Sequence, residues 1–183
     1  MKVDRVTTLL DPVRFLPSPN CDDRPADTTI NMIVVHGISL PPGEFGTGDV
    51  ERLFCGQLDI TKHPYFATIP NLKVSAHLFI DRTGVVTQFV PFAKRAWHAG
   101  QSSFKGVERC NDFSIGIELE GTDTQCYEKA QYKKLALVVN TLREYYPEIL
   151  RRRIVGHSQI APGRKTDPGA SFEWSYLDCL LAP

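Results

Sequence analysis

The stretch F-S-I-G-I-E-L-E-G at residues 113–121 decides the fold class of this 183-residue chain. Alternate residues of the stretch are apolar, which is typical of a β-strand that buries one face. The apolar face holds Ile115, Ile117 and Leu119, and the opposite face holds Gly116, Glu118 and Glu120. We therefore expect a sheet strand whose two glutamates point away from the core.

Other short apolar runs predict the strands that complete the sheet. N-M-I-V-V-H-G at 31–37 is β-branched and ends at a glycine, which indicates a buried strand. The segments 75–81 and 85–91 flank a turn in which Gly84 supplies a positive φ, so they predict an antiparallel hairpin. The segment I-V-G-H at 154–157 predicts a last short strand.

Helices are expected between and after these strands. A long helix is predicted over 128–146, where apolar residues recur at spacings of three and four. Asp49 is expected to cap a short helix, and residues 172–181 are expected to form a closing one. Residues 1–30 and 93–112 are predicted to be irregular. The interspersed elements predict an α/β fold, with a mixed sheet and helices packed on it, in a single domain over 1–183.

Composition excludes several classes of protein. Lysine and arginine number 21, as do aspartate and glutamate, so the formal net charge is zero and nucleic acid is not an expected partner. No stretch approaches the ~20 apolar residues of a membrane-spanning helix, and the charged first residues are no signal peptide. Five scattered cysteines without a C-x-x-C pair do not indicate a disulfide scaffold. We expect a cytoplasmic protein with no membrane and no obligate protein partner.

Three residues have the chemistry of a metal site. His36 and His157 each end a predicted strand, and Asp167 follows in the loop G-R-K-T-D-P-G. Two imidazoles and a carboxylate with an open fourth position form a catalytic zinc set. The alternative is that each is a solvated or hydrogen-bonded loop residue, and spacing alone does not decide between the two because H-E-x-x-H is absent.

An ordered series of motifs identifies a family. The chain resembles the zinc-dependent N-acetylmuramoyl-L-alanine amidases, of the AmpD type that acts on 1,6-anhydro-muropeptides, from about residue 18 to residue 175. The segments that carry the resemblance are SPNCDDRP (18–25), IVVHGISLPPGEF (33–45), HPYF (63–66), VSAHLFIDRTG (74–84), AWHAGQSSF (96–104), ERCNDFSIGIELEGTD (108–123) and VGHSQIAPGRKTDPG (155–169).

The resemblance implies a reaction and a role for individual residues. His36, His157 and Asp167 match the ligands of one zinc ion, which activates water for hydrolysis of the bond between the lactyl group and L-alanine. Glu118 matches the general acid/base, and Lys165 matches the lysine that stabilises the tetrahedral intermediate. The implied role is peptidoglycan recycling in the cytoplasm with a small muropeptide as substrate, and the removal of these fragments links the family to β-lactamase induction.

The resemblance also implies contacts with the substrate. Tyr65 and Trp97 offer rings for the sugar faces, His98 is expected in the pocket wall, and Arg109 and Asn111 match residues that receive the peptide carboxylates. Of the remaining histidines, His63 is expected to be structural, whereas His77 is expected either beside the site or as a hydrogen-bonded core residue.

Two residues depart from the family pattern. Gly37 stands where the family usually has Asn, and Lys73, expected to contact substrate, stands where it usually has Arg. Both departures concern the affinity for substrate rather than the reaction.

Two other functions compete with this one. A binding module that keeps the fold would have lost a metal ligand, whereas this chain retains all three. A periplasmic amidase that acts on intact murein would carry an export signal, which the sequence does not show.

Overall fold

A sheet of short strands lies at the centre of the structure, a computed structural model that describes residues 1–182. The strands of the central sheet and of three two-stranded sheets are, in chain order, β1 (Lys2–Val3), β2 (Leu10–Asp11), β3 (Arg14–Phe15), β4 (Cys21–Asp23), β5 (Met32–Ile38), β6 (Leu78–Ile80), β7 (Val86–Gln88), β8 (Lys94–Ala96), β9 (Ser103–Phe104), β10 (Val107–Glu108), β11 (Ser114–Glu120) and β12 (Ile154–Gly156).

Six of these strands form one mixed sheet in the order β12–β5–β11–β6–β7–β3. The first four are parallel to one another, whereas β7 is antiparallel to β6 and parallel to β3. The register of the two longest strands places Glu118 directly beside His36. Because matched residues of parallel strands face the same side, these two side chains project from the same face of the sheet.

Helices cover the sheet and its ends. They are α1 (Asp49–Phe54), α2 (Lys129–Tyr145), α3 (His157–Ile160) and α4 (Trp174–Leu180), and 3-10 turns lie at Pro64–Thr68, Cys110–Asp112 and Arg151–Arg153. The N-terminus of α2 carries a capping box between Glu128 and Gln131. None of the helices within residues 1–182 is long and apolar enough to cross a bilayer.

The main core lies between the sheet and α2. The apolar residues of β11, Ile115, Ile117 and Leu119, are completely buried there against the apolar stripe of the helix. Burial of each such side chain contributes about 1.5–3 kcal/mol to folding. The opposite face of the sheet is left for a smaller apolar cluster around Met32 and Val34 and for the histidines described below.

Several predictions from the sequence are confirmed. The fold is α/β, with a mixed sheet and packed helices. The predicted hairpin is present as the antiparallel strands β6 and β7, and Gly84 has a φ of 86° in the turn between them. The helix predicted over 128–146 is α2, and the closing helix is α4.

Three predictions about element ends are wrong. His36 does not end its strand, because β5 continues to Ile38. Strand β12 ends at Gly156, and His157 is the first residue of α3, because the Gly156 amide donates a hydrogen bond to the side chain of Gln159 within the new turn. Asp49 does not cap α1, whose N-cap is Gly48 at a φ of 73°. The buried Asp49 carboxylate instead forms ion pairs with Arg52 and Lys62.

The segments predicted to be irregular contain short strands. Residues 1–30 include β1 to β4, and residues 93–112 include β8, β9, β10 and a 3-10 turn. Strands of two or three residues are too short to produce a hydrophobic period, so the sequence pattern does not reveal them. Two of them, β3 and β4, also pair with strands that are distant in sequence.

Candidate metal centre and active site

Three donor atoms converge at one end of the sheet. Nδ1 of His36 lies 3.0 Å from Nδ1 of His157, and each nitrogen lies 3.1 Å from Oδ2 of Asp167. Both histidines are buried, and the aspartate is partly buried. The structure therefore brings together the three residues that the sequence predicts as zinc ligands.

Neighbouring elements deliver these residues. His36 lies on β5, and His157 directly follows β12, the strand that pairs with β5. The loop that carries Asp167 is tied back, because the Ser158 amide donates to the Asp167 carbonyl and the Tyr127 hydroxyl donates to the Pro168 carbonyl. These hydrogen bonds hold the backbone at Asp167 and at the next residue, and so fix the position of the carboxylate.

The hydrogen-bond partner of His157 and the burial of His36 bear on the charge of the converging nitrogen atoms. Nε2 of His157 lies 3.1 Å from the Ala99 carbonyl, an acceptor, so it carries the proton and Nδ1 is bare. Burial lowers the pKa of His36 to about 4, so this imidazole is neutral at pH 7. Oδ2 of Asp167 faces the same two nitrogens and adds a carboxylate oxygen to them. Lone pairs gathered in this way favour a cation between them.

The donor set fits a zinc ion. Zinc bonds of about 2.0–2.2 Å in a tetrahedral site place ligand atoms roughly 3.3 Å from one another, close to the separations of these three atoms. Two histidines and one carboxylate leave the fourth position open, as catalytic sites require. Within the described part of the chain this is the one such grouping of three or more metal-binding side chains.

Glu118 is placed to act beside this centre. Its Oε1 lies 3.9 Å from Nδ1 of His36, and its Oε2 is buried without a hydrogen-bond partner among residues 1–182. Burial, and then the charge of Asp167, raises the pKa of Glu118 well above its ordinary value, although Lys165 opposes this shift. A buried carboxyl group with a raised pKa has the properties of a general acid/base.

Glu120 is in a different environment although it shares the face of Glu118. Its Oε1 accepts a hydrogen bond of 2.6 Å from the Gly46 amide, and its Oε2 accepts one from the Arg82 amide. The second carboxylate of the strand therefore anchors the loop that precedes α1.

A cavity of about 230 Å³ opens beside the metal ligands. Glu118, Lys165, Tyr65 and His98 line it together with His157 and Asp167. The lysine and the glutamate thus face one space in which a substrate carbonyl can lie. The positions of Tyr65 and His98 agree with the predicted contacts to substrate.

Of the other predicted substrate residues, two line an adjoining groove. Trp97 and Lys73 line a space of about 390 Å³ that shares Leu53, Ile69 and Leu72 with the central cavity. A ligand longer than the central cavity can therefore extend along this groove.

Arg109 and Asn111 lie elsewhere. Arg109 lines a separate surface cavity with Arg164. Oδ1 of Asn111 accepts hydrogen bonds from the amides of His98 and Ala99. The structure thus shows Asn111 supporting the loop of His98, whereas a contact with a peptide carboxylate stays a prediction.

The structure also explains Gly37, one of the two departures from the family pattern. A Cβ atom at Gly37 would lie 2.1 Å from the Tyr127 hydroxyl, the group that holds the Pro168 carbonyl. The space of a side chain at this position is therefore already filled.

His77 is a hydrogen-bonded core residue. Its Nδ1 accepts from the Gly116 amide, its Nε2 lies 3.1 Å from the Lys94 carbonyl, and its side chain is completely buried. Of the two interpretations of this histidine, the structure supports the core one.

Analysis of the sequence missed two residues of the site. Ser114 and Gly116 lie four and two residues before Glu118 on the same strand face, and His98 packs against both. Their place on the polar side of an alternating strand is the signal that could have identified them.

The site and the fold together define a class of protein. Two imidazoles, a carboxylate and a nearby buried glutamate at the end of a mixed sheet have the chemistry of a metal-dependent hydrolase. The chain belongs to the N-acetylmuramoyl-L-alanine amidase family, whose model matches residues 26–170. The family resemblance expected from the sequence motifs is thus confirmed.

Similarity to individual proteins extends over nearly the whole chain. The 1,6-anhydro-N-acetylmuramyl-L-alanine amidase AmpD of Citrobacter freundii is 57% identical over 170 residues, which are 93% of this chain and 90% of that protein. A crystal structure of selenomethionine AmpD superposes with a TM-score of 0.95 at 54% identity and covers both chains completely.

A more distant solved structure contains a substrate. It is the Escherichia coli amidase AmiD in complex with anhydro-N-acetylmuramic acid-L-Ala-D-γ-Glu-L-Lys. Its TM-score is 0.61 at 28% identity, and the match covers 86% of this chain and 60% of AmiD.

Proposed function

We propose that this chain hydrolyses the amide bond between the lactyl group of 1,6-anhydro-N-acetylmuramic acid and L-alanine in muropeptides, with one zinc ion as its cofactor. The observation that carries the proposal is the meeting of His36, His157 and Asp167 beside Glu118, whose Oε2 has no hydrogen-bond partner within the described part of the chain. Relatives that are 51–57% identical to this chain over the aligned residues are amidases of this specificity by name.

His36, His157 and Asp167 would hold the zinc ion through two Nδ1 atoms and one carboxylate oxygen. When bound there, zinc supplies a Lewis acid that activates water and polarises the amide carbonyl. None of the described residues donates a hydrogen bond to Oε2 of Glu118, so this oxygen would accept a proton from the attacking water and deliver it to the alanine nitrogen.

Lys165 would stabilise the negative charge that develops on the substrate carbonyl oxygen. Its side chain lines the same cavity as Glu118. Its backbone is held next to the end of α3, because the Lys165 amide donates a hydrogen bond to the Ala161 carbonyl. A cation held beside the reacting carbonyl stabilises the transition state more than the ground state, since the charge is larger there.

The muropeptide would occupy the central cavity and the adjoining groove. Tyr65 and His98 would contact it near the scissile bond, and Trp97 and Lys73 would contact it further along the groove. Arg109 and Asn111 remain proposed contacts for the peptide carboxylates. A small fragment of this kind is the only partner proposed, with no nucleic acid, membrane or obligate protein partner.

The proposed setting is peptidoglycan recycling in the cytoplasm. All five cysteines are free in the structure, which agrees with a reducing compartment. We assign the whole chain, 1–183, to one amidase domain, of which Pro183 lies outside the described residues.

The test combines metal analysis with identification of products. Purified protein is expected to contain one zinc per chain and to release the free peptide from an anhydro-muropeptide, as detected by mass spectrometry. Intact murein sacculi in a parallel reaction should release peptide much more slowly. The Glu118→Ala variant serves as the inactive control.

Three results would contradict the proposal. Protein without zinc would refute the metal centre, and an unchanged anhydro-muropeptide would refute the reaction. Peptide release from sacculi as fast as from the small fragment would support the alternative function on intact murein.

A further inference from the structure

The two metal-facing histidines are held in different ways at their other ring nitrogen. Nε2 of His157 faces the Ala99 carbonyl, which accepts only, so its proton position is fixed by the backbone. Nε2 of His36 instead faces Nδ1 of His98 at 2.9 Å. A second imidazole can donate or accept, so this contact alone leaves the proton of His36 undetermined.

Ser114 removes this ambiguity. Its Oγ lies 2.6 Å from the Cys110 carbonyl, an acceptor, so the hydroxyl proton points there. The same Oγ lies 3.1 Å from Nε2 of His98 and must therefore accept a hydrogen bond from it. A neutral His98 that carries its proton on Nε2 has a bare Nδ1, which can only accept from Nε2–H of His36.

We infer that Ser114 and His98 are positioning residues that fix the tautomer of His36 and leave its Nδ1 free to bind the metal. The direction of the chain of hydrogen bonds runs from His36 through His98 and Ser114 to the carbonyl of Cys110. Each donor on the path has one acceptor, and the path ends at the Cys110 carbonyl, which also accepts from the Phe113 amide. This inference rests on the metal site proposed above.

Strand β11 leaves space for the ring of His98. A Cβ atom at Gly116 would lie 2.3 Å from Cγ of His98, so the ring packs on bare backbone between Ser114 and Glu118. Oδ1 of Asn111 accepts from the amides of His98 and Ala99, the partners of the two metal-facing histidines. The side chain of Asn111 thus holds the backbone of His98, which contacts His36, and of Ala99, which contacts His157.

The expected effect is on metal affinity. A ligand histidine whose second nitrogen loses its partner samples the other tautomer and other ring orientations, and metal affinity typically falls 10–100-fold. Neither Ser114 nor His98 is a metal ligand, since their atoms lie on the far side of the His36 ring from Asp167. Their loss should weaken zinc binding without removing a donor atom.

The direct test is nitrogen NMR of the wild-type protein with 15N-labelled histidine, in metal-free and zinc-loaded forms. His98 is expected to carry its proton on Nε2 in both forms, and zinc-loaded His36 is expected to carry its proton on Nε2 with Nδ1 bound to zinc. Observation of His98 with its proton on Nδ1 would overturn the inference even where the protein folds, binds zinc and is active.

A variant series supplies a second, independent measurement. Ser114→Ala is expected to weaken zinc binding ~10–100-fold in a chelator competition, and Ser114→Thr, which keeps the hydroxyl, should recover most of this loss. Ser18→Ala is the matched control, because the Ser18 hydroxyl is also buried, donates to the Phe54 carbonyl and accepts an amide. Thermal unfolding of the metal-free proteins reports any general loss of stability.

The outcomes separate this inference from the proposed function. A wild-type protein that binds no zinc would refute the metal centre itself. Wild-type affinity in Ser114→Ala, or an equal loss in Ser18→Ala, would refute the positioning role alone. If Ser114→Ala does not fold, the tautomers measured in the wild-type protein decide the question.

Discussion

His36 and Glu118 occupy matched positions on adjacent parallel strands, and 3.9 Å separates Nδ1 of the histidine from Oε1 of the glutamate. The sheet register thus fixes the distance between a metal ligand and the carboxyl group that would move protons. Strands β5 and β11 pair along their whole length, and the backbone hydrogen bonds between them hold this distance. Lys165 and Asp167 come instead from the loop that follows α3, where backbone hydrogen bonds to Ala161 and Ser158 hold them.

The two glutamates of β11 should separate catalysis from loop anchoring. Glu118→Ala is expected to lower kcat ~10²–10⁴-fold with zinc content unchanged, because it removes the proton-transfer group and no ligand. Glu120→Ala should have a much milder effect on kcat, since Glu120 binds the amides of Gly46 and Arg82 rather than facing the metal ligands. Zinc content and kcat of both variants are the measurements. An inactive Glu120→Ala beside an active Glu118→Ala would show that the proton is moved by the other carboxylate.

Removal of a ligand should act through the metal. His157→Ala is expected to release zinc and to abolish turnover, because a catalytic zinc site needs three protein ligands and only two would remain. The matched control is His63→Ala, since His63 accepts a hydrogen bond from the Tyr65 amide and is no member of the metal-binding group. Metal analysis after dialysis distinguishes the two. Stoichiometric zinc in the His157 variant would rule out this ligand set.

Lys165 should affect the rate but not the metal. Lys165→Met keeps much of the length of the side chain and removes its charge, so kcat is expected to fall ~10²–10³-fold while zinc content stays normal. Lys133→Met, on the exposed side of α2, is the control for loss of a positive charge. Steady-state kinetics on an anhydro-muropeptide is the measurement. If the loss appears in KM alone, the lysine binds substrate without stabilising the transition state.

The sequence predicted the parts of the fold and site that leave a local pattern. The alternation of Ile115, Ile117 and Leu119 predicts the strand and the face of Glu118. The ligand set is predicted only by the resemblance of the motifs to the amidase family, since spacing alone leaves it open. The role of Ser114 left no such mark, because it depends on the ring of His98, which is brought to the strand by a separate loop. The end of β12 was misplaced by one residue, since the turn at His157 depends on the side chain of Gln159.

Burial of His77 should make the stability of the metal-free protein depend on pH. Burial first, and then the charge of Arg24, lowers the pKa of His77 well below 6.5, the ordinary value that it regains on unfolding. Below about pH 6.5 the unfolded chain therefore binds more protons than the folded one, so stability falls as the pH is lowered. The glutamine of the His77→Gln variant does not titrate. The variant should therefore reduce the slope of the unfolding free energy against pH by up to ~1.4 kcal/mol per pH unit in this range. The variant should also be less stable at every pH, because the hydrogen bonds to Gly116 and Lys94 are altered. Urea unfolding of both proteins between pH 5 and pH 8, with a chelator present, measures slope and offset separately, and an unchanged slope would show that His77 is not held neutral by the fold.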